Sequence, residues 1–327
     1  QTTEANYGLA QEYFRLKAKM LGMDKIRNCD VYAPVAEAQK KYAFDEARDL
    51  TVAAYRQYDP EFGSIIQAFF DERRVDVLPR QGKSGGAFAM GISPLDPPFL
   101  LLNFTNNLRD IATIAHEAGH GLHFVLAQKQ NSLNYHAPLP LAETASVFGE
   151  MLLTRMLLDT ENDPEVRKSL LCAKIEDIIA TTFRQTVLTR FEMRLHAERK
   201  NGLLSNEQIS ELWLEENTRL FGDAVEMIPA YRWGWSYISH FIHSRFYCYS
   251  YTFAELLVLA LYQQYRETGE AFKPGYRALL ESGGALSPAN TAKLAGIDIE
   301  SAGFWQKGYD FLAALIEELK QTIKQGV

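Results

Sequence analysis

Ile114-Ala-His116-Glu117-Ala-Gly-His120-Gly-Leu-His123 is the stretch on which the reading of this 327-residue chain turns. Read as a helix, it places His116 and His120 four residues apart on one face, where both imidazoles can point at a single ion. Glu117 then lies roughly 100° around from His116, beside the ion and not among its ligands. The helix has a clear start. Asn107 is a capping residue and Asp110 suits the positively polarised first turn, so the spacing predicts a helix from there to about Lys129. A five-residue His-Glu-x-x-His pattern also arises by chance on apolar helices. Here it is accompanied by Ala118, Gly119 and Gly121, and each glycine costs a helix about 1 kcal/mol. A helix carrying that penalty is expected to be approached closely by another backbone.

The next element supplies a carboxylate. Pro138-Leu-Pro-Leu-Ala-Glu143-Thr-Ala-Ser-Val-Phe-Gly-Glu150 reads as a second helix with Pro140 in its first turn, returning antiparallel to the first. Glu143 on its opening turn completes a two-histidine, one-carboxylate set for one zinc ion, with a fourth position left for water or substrate. Glu150, two turns further on, is placed to accept the distal N–H of a ligating histidine. The competing readings are a carboxylate serving only the helix dipole at 143 and a plain surface acid at 150. His123 and His136 are alternative third ligands. His116 and His123 are about 10 Å apart along a straight helix, which disfavours the first. His136 has no helix to fix its direction.

Outward from this core, most of the chain has helical periodicity. Asn6–Leu21, Asp45–Tyr58, Glu61–Arg74 and a long run over Pro164–Lys200 read as helices. Ser205 to Gln208 forms a capping box opening a helix to Phe221, Ser287-Pro288 starts another, and Glu300–Gln325 ends the chain. Between Arg80 and Asn107, glycine and proline cluster around two short apolar runs, Gly86–Ile92 and Phe99–Thr105, which predict a hairpin. The expected fold is therefore mainly α, with a small sheet near residues 86–105. With no repeat or linker in evidence, the economical organisation is one catalytic domain over 1–327.

Composition removes several classes of function. The net charge of −7, from 34 basic and 41 acidic residues, comes with no lysine–arginine cluster, which argues against nucleic acid or an anionic membrane as partner. No apolar run reaches about 18 residues, so no membrane span is expected, and Ala254–Tyr262 reads as a buried helix. Cys29, Cys172 and Cys248 are odd in number and far apart, which fits a reducing, cytoplasmic setting. Nothing in the sequence fixes the oligomeric state. The chain opens Gln-Thr-Thr, as a fragment or processed product would.

Two further regions are candidates for contact with a ligand. On a continuous helix, His240, His243, Tyr247 and Tyr251 fall within about 80° of one another while Tyr249 faces away. An aromatic core stripe would have that pattern, but so many hydroxyl and imidazole groups suit a wet cleft better than a dry core. Asn103 and its strand suggest a sheet edge to which an extended peptide could add, and Gly85 and Gly86 would let a loop approach that peptide. Both features are equally ordinary parts of a hairpin.

Taken together, His116-Glu-Ala-Gly-His120-Gly-Leu-His123 and Glu143-Thr-Ala-Ser-Val-Phe-Gly-Glu150 resemble the thimet oligopeptidase and oligoendopeptidase F family of zinc peptidases. So do Lys83-Ser-Gly-Gly86, Leu101-Leu-Asn-Phe-Thr105 and the stretch from His240 to Leu256, and the likeness is greatest to oligoendopeptidase F. The resemblance implies a mainly helical zincin-type fold and cleavage of oligopeptides at internal bonds. Glu117 would activate a zinc-bound water. The family uses a histidine and tyrosines of the aromatic stretch to bind substrate and stabilise the oxyanion, which implies His243, Tyr247 and Tyr251 in catalysis and His240 in binding. The local spacing leaves the two histidines interchangeable. Family members are much longer, so the chain corresponds to their C-terminal catalytic portion. Two alternatives stay open: a dipeptidyl carboxypeptidase that holds a carboxylate with Arg232 or Arg245, and a zinc-containing peptide-binding piece.

Overall fold

A computed structural model describes residues 1–35 and 41–325. Thirteen helices longer than a single isolated turn, or bearing on the candidate sites, are labelled in chain order. They are α1 (Tyr7–Met20), α2 (Phe44–Tyr58), α3 (Pro60–Asp71), α4 (Leu108–Ala127), α5 (Thr144–Thr160) and α6 (Pro164–Ile178). Then come α7 (Gln185–Arg199), α8 (Asn206–Phe221), α9 (His240–His243) and α10 (Tyr249–Thr268). The last are α11 (Lys273–Glu281), α12 (Pro288–Leu294) and α13 (Ala302–Gln325). The chain is mainly helical with little sheet, as the periodicity predicts. The Pro164–Lys200 run is interrupted by a π-helical stretch, Ile179–Arg184, between α6 and α7.

The strands are short: β1 (Ile26–Arg27), β2 (Val75–Asp76), β3 (Phe88–Met90), β4 (Phe99–Leu101) and β5 (Val225–Glu226). The expected hairpin exists, with β3 antiparallel to β4 and Ala89 opposite Leu100. β2 adds to the other side of β4 in parallel, so the order is β2-β4-β3. β1 and β5 form a separate parallel pair. None of the two-residue strands β1, β2 and β5 is long enough to carry an alternating pattern, which is why the sequence reading misses both parallel pairings.

The described residues gather into two compact units, where the sequence reading took one domain. Of the described residues, one unit comprises 1–35, 168–256 and 309–325; the other comprises 41–167 and 257–308. In the second unit α4 is the central element, packed on α2, α3, α5, α11 and the hairpin. Its neighbours are held by aromatic packing: Phe148 of α5 stacks on Tyr276 of α11 at 4.4 Å, and meets Tyr58 of α2 edge-on at 5.2 Å. Each such pair adds about 0.5–1.5 kcal/mol beyond the area it buries. The first unit has its own core, where Leu188 and Phe191 of α7 meet Trp213 of α8, Ile238 and Cys248. No described helix is long and apolar enough to cross a membrane, and the three cysteines are free, with Cys172 and Cys248 buried.

Candidate metal centre

α4 begins at a reciprocal cap. The Asp110 amide donates to Asn107 Oδ1 at 3.0 Å, and the Asp110 carboxylate accepts the amides of Asn107 at 3.2 Å and Thr105 at 2.6 Å. This satisfies otherwise orphaned donors and fixes where the helix starts, hence which face His116 and His120 present.

The glycines explain how α5 comes so near. A β-carbon at Gly119 would stand 2.6 Å from Ser146 Cα, and one at Gly149 would fall on the Tyr55 hydroxyl. Tyr55, fully buried on α2, donates to the Ala115 carbonyl of α4 at 2.7 Å. The crossing is tight because backbone faces backbone. A single turn, Leu139–Ala142, with Pro140 within it, leads into Glu143, which sits at the junction with α5.

Three ligand atoms converge there. His116 Nε2 and His120 Nε2 are 3.2 Å apart, and each lies 3.3 Å from Glu143 Oε2. Among the described residues, His116, His120 and Glu143 form a group able to hold a metal ion. The fit can be tested by geometry. Donor atoms placed about 2.05 Å from a tetrahedral centre stand about 3.3 Å apart, which matches all three edges of this triangle. Ser146, which the sequence reading passed over, donates its hydroxyl to the same Glu143 oxygen at 2.7 Å and is fully buried. Its signal was its place three residues after Glu143 in a helix's first turn.

His116 Nδ1 lies 2.5 Å from Glu150 Oε1. If the Nδ1 N–H is given to Glu150, the neutral imidazole of His116 would offer a metal ion the lone pair on Nε2. Burial opposes a charge on His116, but the hydrogen bonds to Glu143 and Glu150 prevail and raise its pKa to about 10. Burial also works against the Glu143 carboxylate, and His116 and His120 outweigh it, holding Glu143 well below the usual carboxylate range. Glu143 is thus in the charged form a metal ligand needs, while a proton on His116 Nε2 would have to leave before that atom could bind an ion.

Glu117, the next residue of α4 after His116, is 6% exposed. Burial raises its pKa, partly opposed by His116, His120 and the backbone amide of Ala89. Its Oε2 is buried with no hydrogen-bond partner. The outer strand β3 therefore meets α4 at this carboxylate.

The two alternative ligands stand elsewhere. His123 is buried, its ring hydrogen-bonds the Ala142 carbonyl, and burial lowers its pKa to about 4. His136 packs its ring on Phe124 and Tyr135.

Asn103 follows a central strand and not the sheet edge expected of it. β4, which leads into Asn103, is the central strand and offers no free edge; the edges are β2 and β3. The Asn103 side chain instead donates to the carbonyls of Ser84 at 2.9 Å and Gly86 at 2.7 Å. It ties down the loop holding Gly85 and Gly86, of which Gly86 has φ +78. Lys83, almost wholly buried, pins the same loop through the Asp76 carboxylate at 3.0 Å and the Leu78 carbonyl at 2.9 Å. Asp76 is pulled down to about 2 by hydrogen bonds from Arg80 and Lys83.

The aromatic stretch, in the first unit, also departs from expectation. It is not one helix. α9 ends at His243, Phe246 takes a left-handed φ of +57, and α10 begins at Tyr249. Three of the four residues nonetheless meet. His240 Nε2 is 3.3 Å from the Tyr251 hydroxyl, its ring lies 5.8 Å from that of Tyr247, and the two tyrosine rings are 5.3 Å apart. His243 is exposed on the single turn of α9. Arg232 lies over the Trp233 ring at 5.4 Å and Arg245 is exposed.

A helix-borne pair of histidines and a carboxylate at the start of the next helix form a group able to hold a metal ion on a mainly helical fold, with a buried carboxylate beside them. The family model described as Peptidase family M3 matches residues 1–311, and the chain belongs to that family. It is 28% identical to the oligopeptidase PepF of Bacillus subtilis over 98% of its own length and 49% of that protein's. The group B oligopeptidase PepB of Streptococcus agalactiae is 27% identical over 100% of the chain and 54% of its own length. The chain thus spans about half the length of the curated relatives it matches. Among solved structures, a Chlamydophila abortus protein superposes with a TM-score of 0.91 at 29% identity, covering 98% of this chain and 54% of that one. Oligoendopeptidase-F of Enterococcus faecium gives 0.73 at 25% identity, with 99% and 51% covered.

Proposed function

We propose that this chain carries the zinc centre of a peptidase that cuts short peptides at internal bonds, with zinc on His116, His120 and Glu143. The observation that carries the reading is the triangle of donor atoms with 3.2–3.3 Å edges beside a buried, unpartnered Glu117 oxygen. Bound zinc would supply Lewis acidity, lowering the pKa of a coordinated water and polarising a carbonyl. The chain's own part is proton handling and orientation. Glu117, its proton affinity raised by burial, takes a proton at its free Oε2 and returns it to the leaving amine. Glu150 keeps His116 in the tautomer that offers Nε2, and Ser146 orients Glu143.

His240, Tyr247 and Tyr251 are the groups we assign to the substrate, with a tyrosine hydroxyl as oxyanion donor; the polar ends of His240 and Tyr251 share a hydrogen bond. His243, exposed on the turn of α9, is left out of this assignment. Asn103, Gly85 and Gly86 act through the loop they form and not as a strand edge. Free cysteines suit action on oligopeptides in the cytoplasm.

The test is a peptide blocked at both ends, digested by the zinc-loaded protein and by Glu117→Gln. Internal cleavage by the first and loss of about 10³-fold or more in kcat in the second, at equal zinc content, is the expected result. Cleavage only of peptides with a free C-terminus would point to a carboxypeptidase. A zinc-loaded, fully active Glu117→Gln protein would sink the proton-transfer role.

A further inference from the structure

His240 and Tyr251 are eleven residues apart. On one continuous helix that spacing would separate them by about 16 Å along the axis. Their polar atoms are 3.3 Å apart because the chain doubles back between Ser244 and Cys248. The reversal depends on Phe246, whose φ of +57 is disfavoured for any residue with a β-carbon. Something must hold it.

The holding group comes from α7. Glu192 Oε1 accepts the Phe246 amide at 2.9 Å across a sequence separation of 54 residues. Glu192 is 1% exposed, and its other oxygen is buried without a hydrogen-bond partner. Two residues beyond Phe246, the fully buried Cys248 has its thiol pushed up to about 11 by burial and by the Glu192 charge. On the outside of the turn the Phe246 ring packs on His196 of the same helix, centroids 4.8 Å apart. A carboxylate buried with one oxygen unfilled is a poor choice for stability alone, since an apolar residue of that size would fill the space without the desolvation penalty. Its retention here fits a directional task.

We propose that Glu192 is a positioning residue, which fixes the left-handed turn at Phe246 and so sets Tyr247 and Tyr251 against His240. The assignment rests on the reading that this cluster meets the substrate, but the anchoring itself can be measured apart from hydrolysis. Glu192→Ala removes the acceptor; Glu192→Gln keeps a carbonyl oxygen in its place and guards against a simple failure to fold. In the zinc-loaded protein, hydrogen exchange at the Phe246 amide should quicken about tenfold or more in Glu192→Ala and stay near the parent rate in Glu192→Gln. Turnover of the blocked peptide should fall about tenfold in Glu192→Ala with zinc content unchanged, be restored by Gln, and show little further loss when Glu192→Ala is added to Tyr251→Phe. Unchanged exchange at Phe246 in Glu192→Ala, or a full extra loss on top of Tyr251→Phe, would overturn the proposal. Parent turnover in both Tyr247→Phe and Tyr251→Phe is a different failure: it removes the role of the cluster while the exchange result still stands.

Discussion

The metal centre and the aromatic cluster each bring three side chains to within reach of one another, and they do it by opposite means. At the metal centre a regular helix sets two of the positions, and a second helix pressed against it through Gly119 and Gly149 sets the third. The geometry is spread over a cap, a crossing and several buried contacts. In the 240–251 stretch regularity is broken, and the meeting of His240 with Tyr251 hangs on one turn held by one carboxylate. The first arrangement is redundant in its scaffold and unforgiving at its ligands. The second should be sensitive at a residue that touches neither substrate nor metal.

The comparison can be broken most decisively at a ligand. Glu143→Ala should raise the zinc Kd by about 100-fold or more, beyond the 10–100-fold typical of residues that only support a ligand. His136→Ala should leave it nearly unchanged, since that ring packs on Phe124 and Tyr135. Zinc titration of the two purified variants decides the matter. Equal affinities would overturn the assignment of the third ligand.

One step out, Glu150→Ala leaves the His116 Nδ1–H without the acceptor that stands 2.5 Å away. Zinc affinity should fall about 10–100-fold, with the chain still folded. Competition against a chelator measures it. A drop as large as that of Glu143→Ala would mean that the scaffold is less redundant than described, because loss of an orienting contact would then equal loss of a ligand.

How far each region could be read in advance follows from the same contrast. His116, Glu117, His120 and Glu143 were legible because helical spacing converts directly into direction in space. The cap at Asn107, the hairpin and the helix ends were legible for similar local reasons. Phe246 carried no such mark: phenylalanine does not advertise a left-handed turn, and the residue that stabilises it is 54 positions away. The short parallel pairing of β2 with β4, which removed Asn103 from any sheet edge, is likewise a long-range event between segments too brief to show a period. Tyr55 gave no signal at all. Gly119 and Gly121 did hint that something lay close, without saying what.

That close approach gives the smallest expected effect and a change of sign with place. Gly149 lies inside α5, where alanine would ordinarily favour the helix by about 1 kcal/mol. Here the added methyl falls on the Tyr55 hydroxyl and within 3.1 Å of the Ala115 carbonyl, so the ring must leave its hydrogen bond or the helices must part. Overpacking of this kind costs about 1–3 kcal/mol, which exceeds the helical gain over most of its range. Gly8, in the first turn of α1, is the control: a methyl there meets nothing within 4 Å. Gly8→Ala should therefore leave stability unchanged or raise it by less than about 1 kcal/mol, while Gly149→Ala lowers it. Denaturant midpoints of the metal-free variants separate the two contributions, and zinc titration of Gly149→Ala shows whether a displaced crossing is felt at Glu143. A Gly149→Ala protein as stable as Gly8→Ala would mean that α4 and α5 can part freely, and the precision of the donor triangle would need another source than their contact.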